Sequence, residues 1–94
     1  MLKIKDYIDL EELIKHRFSR TTRVYNDGRK EVIDYTRISA KERLTSKGII
    51  VEWRIIEIKV SDRILHFKNS VREVYDKNWA NDLIQAGLVE EVKE

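Results

Sequence analysis

The chain has 94 residues, of which 38% are charged and 41% hydrophobic, with three Gly and neither Pro nor Cys. Zero Cys excludes disulfides, thiolate zinc sites and cysteine nucleophiles together. The longest strictly apolar run, Ile49 to Val51, is far too short to span a membrane. With 19 basic against 17 acidic groups and aromatic residues spread from end to end, the composition is not that of a disordered segment.

A chain of this length forms one domain, residues 1–94, whose thin core invites a homodimer. Lys3, Lys5 and Asp6 are not followed by a signal-peptide apolar stretch, which predicts a cytoplasmic protein. Many Ile, Lys and Arg beside a single Gln and a single Met resemble a heat-adapted composition. Charge is uneven along the chain. From Lys15 to Lys30 there are six basic residues and one acid, whereas from Glu73 to Glu94 there are six acids and two bases.

The first predicted element is a helix over Asp9 to Phe18. Asp9 is its N-cap, Glu11 and Glu12 favour the positive end of the dipole, and Leu10, Leu13, Ile14 and Phe18 form one stripe. Thr21 to Tyr25 and Glu31 to Ile38 are rich in β-branched and aromatic residues, and Asp27-Gly28 between them signals a hairpin. A two-residue loop pairs Val24 with Glu31; a three-residue loop pairs Arg23 with Glu31 and Arg20 with Asp34, which charge favours. Ser39 to Lys47 reads as one or two helical turns with Ser39 and Glu42 as a capping box, or as a long loop.

Ile49 to Val60 is the clearest strand. Ile49, Val51, Trp53 and Ile55 alternate with polar residues, and the phase then switches to Ile56, Ile58 and Val60. The switch predicts either a bulge near Ile55 and Ile56 or a strand covered on both faces. Ser61 and Asp62 turn the chain into a strand over Ile64 to Lys68. The last part reads as helix in two pieces, through Val71, Val74 and Tyr75, then Trp79, Ala80, Leu83 and Ile84, ended by Gly87 before the apolar Leu88, Val89 and Val92. Trp53 and Trp79 are expected in the core. Together these elements predict an α+β fold: an antiparallel β-sheet built from two hairpins, with an N-terminal and a C-terminal helix packed on it.

Arg17, Arg20, Arg23, Arg29, Lys30 and Arg37 bracket Tyr25 and Tyr35 on the first hairpin. Guanidinium groups grip phosphates with paired hydrogen bonds, and the two rings can stack on bases. The leading expectation is therefore a non-enzymatic module that binds nucleic acid through these eight residues, with no cofactor and no metal. A protein-binding regulator or inhibitor, using the separated basic and acidic segments, is the second.

Glu57 and Lys59 stand two apart in an apolar strand and so share one face, where a carboxylate can hold a divalent ion and a lysine can steady a phosphate. With Glu12 on the helix before it and Asp34 on the strand before it, the order resembles that of the PD-(D/E)xK nuclease superfamily over about residues 9 to 60. That resemblance implies metal-dependent DNA cleavage, with Mg or Mn held by Asp34 and Glu57, Glu12 contributing, and Lys59 beside them. Glu12 and His16, one helical turn apart, and His66 read as a solvated face and a structural histidine.

Overall fold

The chain opens with a short strand, β1 (Leu2–Ile4), and closes with another, β7 (Val89–Glu91), and the two pair antiparallel as Leu2 with Glu91 and Ile4 with Val89. Between them the computed structural model, which describes residues 1–93, carries a five-stranded antiparallel meander. Its strands are β2 (Ser19–Val24), β3 (Lys30–Thr45), β4 (Gly48–Lys59), β5 (Leu65–Lys68) and β6 (Glu73–Val74), adjacent in the order of the sequence. The fold is thus mixed α/β with antiparallel sheets, and its helices are short.

The first hairpin takes the three-residue loop. Tyr25 donates its N–H to the Arg29 carbonyl, Gly28 sits at φ +86°, and Arg23 pairs with Glu31. Only Gly takes that positive φ cheaply, so Asn26-Asp27-Gly28 fixes the register. A shift between Thr21 and Thr22 then places Arg20 across from Tyr35 and not across from Asp34. Opposite residues in antiparallel strands project to the same face, so this bulge decides which side chains Arg20 meets.

The second hairpin differs most from expectation. Ser39 to Lys47 is neither helix nor long loop: β3 runs to Thr45 and reverses in a tight turn at Ser46 and Lys47. The Thr45 hydroxyl donates to the Gly48 carbonyl at 2.9 Å and accepts the Lys47 N–H at 3.2 Å. Pairing of β3 with β4 is continuous from Asp34–Lys59 to Thr45–Gly48, with no bulge at Ile55 and Ile56. The neighbouring strands stop early. β2 reaches only Thr36, and β5 only Ile55. Beyond those points the hairpin is a two-stranded arm with both edges unpaired. It stretches the molecule to 53 × 34 × 26 Å and its radius of gyration to 15.2 Å, against roughly 12 Å for a compact chain of this length.

The core lies under one face of the sheet. Tyr35, Ile56, Ile58, Leu65 and Phe67 point down from β3, β4 and β5 onto Leu2, Ile4, Leu10, Leu13, Phe18, Ala80, Leu83 and Leu88. The N-terminal helix is a 3₁₀-helix, Leu10–His16, and not an α-helix to Phe18. Three residues per turn align Leu10 with Leu13 and push Ile14 outward, and Arg17 ends the element at φ 67°. Asp9 does cap it, accepting the Glu11 N–H at 2.9 Å. At the other end, the segment holding Val71 and Val74 forms the edge strand β6, and the helical part shrinks to a 3₁₀ turn (Lys77–Ala80) followed by α1 (Asn81–Gln85). Gly87 at φ +73° ends it and leads into β7.

Candidate nucleic-acid interface

The basic residues of the first hairpin divide by whether the fold already holds them. Arg20 is held. Its register opposite Tyr35 points it under the sheet, where Nε reaches the two Glu11 oxygens at 2.9 and 2.8 Å and a terminal nitrogen reaches Oε1 at 2.6 Å. The Tyr35 hydroxyl donates to the same carboxylate at 2.7 Å. Hydrogen bonds from Arg20, then from Tyr35, keep the Glu11 carboxyl below its usual range. Burial first, and the Glu11 anion second, push the Tyr35 phenol up to about 12. Tyr35 is buried, so its ring is out of reach of a base.

Arg37 is held more firmly still. Its guanidinium donates to the His16 and Trp79 carbonyls, both at 2.9 Å, and to both Asp82 oxygens, and it lies 4.8 Å over the Phe18 ring. Arg29 pairs with Asp27 within the turn, at 2.6 Å, and its guanidinium covers one face of the Tyr25 ring at 4.8 Å. The Tyr25 hydroxyl is hydrogen-bonded to Glu31. Five of the eight residues singled out in the sequence, Arg20, Tyr25, Arg29, Tyr35 and Arg37, therefore already have partners inside the chain. Arg17, Arg23 and Lys30 are exposed and make no ion pair among the described residues.

The arm adds cations that sequence reasoning missed. Because Ser39 to Lys47 looks helical, Lys41, Arg43 and Lys47 fall outside any hairpin in that reading. In the structure Lys41 and Arg43 stand on the same face of β3 as Arg37, the face that turns toward the body, and Lys47 is at the tip. All three are exposed and without an ion pair among the described residues. Arg43 lines a groove with Glu52 of β4 and with Asn69, Ser70 and Arg72 of the β5–β6 connection. Asn69 shapes that connection by accepting the N–H groups of Val71 and Arg72, each at 2.9 Å. Arg72 is exposed as well, so two unpaired guanidinium groups flank one groove. The signal for the arm was present in the strength of its partner strand. Ile49 to Val60 has to pair with something, and Gly48 marks where the chain reverses.

Asp34, Glu57 and Lys59 lie on the other, outward face of the sheet. Asp34 is directly across from Lys59, and Glu57 is across from Thr36. Asp34 accepts from the Thr36 hydroxyl at 3.3 Å, and Glu57 is bridged by Lys68 at 3.4 Å. Glu12 is on the 3₁₀-helix beneath the opposite face and pairs with Lys15 at 3.1 Å. The sheet thus separates Glu12 from the other two carboxylates. No group of three or more His, Asp or Glu among the described residues is placed to hold a metal ion. His16 contacts Asp82 at 3.3 Å, and His66 approaches Asp62 at 3.6 Å.

No described helix is long and apolar enough to cross a membrane. No protein-family model, curated protein or solved structure matches the chain.

Proposed function

We propose that the chain is a non-enzymatic module that binds nucleic acid through the cations its own carboxylates leave free, on and beside the β3–β4 arm. The division of the basic residues carries this reading. Arg20, Arg29 and Arg37 are spent on Glu11, Asp27 and Asp82, whereas Lys41, Arg43, Lys47 and Arg72 are exposed and unpaired among the described residues, with Arg23 and Lys30 at the far end of the first hairpin. Along one face of the ribbon, guanidinium and ammonium groups are placed to meet successive phosphates of a nucleic-acid backbone. The paired arginines serve the fold.

A mobility shift on DNA and RNA at low and high salt tests the reading. Salt-sensitive binding that weakens when Lys41, Arg43, Lys47 and Arg72 are replaced by Ala supports it, and no binding at low salt overturns it. The same assay with Mg or Mn separates it from the nuclease-like alternative. Cleavage that is lost in Glu57→Gln and Asp34→Asn would make the outward face the working one.

A further inference from the structure

We infer that the outward face of the arm is a dimerisation surface whose occupant is the same face of a second copy of this chain. The face is not the one proposed to meet phosphates, and the two inferences stand or fall separately. In β4 the apolar residues switch phase at Ile55 and Ile56 while the pairing with β3 does not shift. Ile56 and Ile58 therefore reach the chain's own core, at 2% and 0% exposure, but Ile49, Val51, Trp53 and Ile55 project to the side on which this chain has no second layer. Ile38 and Leu44 of β3 join them in register, opposite Ile55 and Ile49. Exposures of 60% for Ile38, 81% for Leu44, 66% for Ile49, 44% for Val51 and 49% for Trp53 describe an amphipathic strand pair with its apolar side uncovered.

Isolated two-stranded ribbons are marginal in water, and this one has both edges free and its greasy side bare. The stripe presents roughly 600 Å² of apolar surface, at the upper limit of what monomers leave exposed. Two such stripes face to face remove at most roughly 1,200 Å², the lower edge of the range of specific interfaces. Charge selects the partner. From Ile38 to Ile55 the face carries a single ionisable residue, Glu42, opposite Val51, so it offers nothing to a phosphate backbone. It is apolar and nearly uncharged, and the surface that matches it in both respects is its own copy. Ala40, directly across from Trp53, leaves room for a large side chain from the opposing sheet. Two ribbons stacked in this way form a four-stranded sandwich about 10 Å deep, with the Lys41 and Arg43 faces turned outward on both sides.

Sedimentation equilibrium or light scattering on the full chain from about 1 µM to about 1 mM tests this. The expected mass rises to twice 11.3 kDa. Trp53→Glu and, separately, Ile38→Lys should return it to 11.3 kDa with unchanged circular dichroism, since neither side chain belongs to the core cluster. Tyr7→Ser, at a 79% exposed residue between β1 and the 3₁₀-helix and so outside the arm, should leave the dimer intact. A mass of 11.3 kDa at every concentration overturns the inference, as does a dimer that survives both arm variants. A mass that rises only when DNA or RNA is added also overturns it.

Discussion

Arg37 and Asp82, 45 residues apart, form a two-point contact at 2.7 and 3.0 Å that ties the base of the arm to α1. The guanidinium is only 11% exposed, while the carboxylate is 40% exposed. Replacing Arg37 by Ala strips hydrogen bonds from two backbone carbonyls as well as from Asp82. We expect it to destabilise the fold by about 2 kcal/mol, after discounting the Asp82 pair for its exposure. Arg37→Lys should recover little, because a point charge cannot replace the planar fork. Urea denaturation of the two variants measures both.

Arg20 and Arg29 are the contrast to the arm cations. Replacing Lys41, Arg43, Lys47 and Arg72 should each lower the log-log salt slope of nucleic-acid binding by about 0.7 to 0.9. Arg20→Ala and Arg29→Ala should leave that slope unchanged, since their guanidinium groups are already neutralised by Glu11 and Asp27. Fluorescence anisotropy at four salt concentrations separates the two sets.

At high pH the group to follow is Tyr35. Its phenol ionises at about 12 in the folded chain against an ordinary value of 10.0. The native state thus holds its proton where the unfolded chain releases it, so the contribution is full below pH 10 and is lost as pH rises towards 12. Absorbance at 295 nm should show one of the four tyrosines titrating late, and Tyr35→Phe should remove that late step.

The acid limb should depend on Asp82. Burial works to raise its carboxyl, but the hydrogen bond and charge of Arg37, with His16 behind them, outweigh burial and leave it below 3.8. A lowered folded value means stability that is present above the ordinary carboxyl range and is lost as pH falls through the lowered one. Thermal melts from pH 6 to pH 2 should show a shallower decline for Asp82→Asn than for the native chain.

The antiparallel sheet was legible because its signals are local. Asp27-Gly28 names the first turn but leaves its loop length open between two and three residues, and the β-branched run from Ile49 to Val60 names the central strand. Ser39 to Lys47 was not legible, because Ala, Lys, Glu, Arg and Leu favour helix on their own, and only pairing with β4 makes them a strand. Trp53 was expected in the core because Trp side chains are on average largely buried. Its side chain is 49% exposed on the arm, whereas Trp79 does pack against the core, edge-on to Phe67 at 6.1 Å. The phase switch at Ile55 was visible, but neither of its two readings holds within the chain: the register has no bulge, and Ile49, Val51 and Trp53 on the second face are exposed and not covered. The basic cluster was legible as composition but not as a site, since the partners that neutralise Arg20 and Arg37 come from other elements, Glu11 from the 3₁₀-helix and Asp82 from α1, which only the folded chain brings together.

The pairing of β1 with β7 sets an order on how the chain acquires its structure. Leu2 and Ile4, at 3% and 0% exposure, are covered in part by Leu88 and Val89, so the cover over the start of the chain is completed by residues far along it. During synthesis the meander from Ser19 to Val74 can assemble from neighbouring segments alone, each strand meeting the next across a short connection, whereas the N-terminal strand first meets Arg63 and Ile64 on one edge and gains its second partner only with Val89 to Glu91. A chain truncated before Leu88 would keep its meander and the Arg63 contact to β1 but leave the other edge of that strand open to protease.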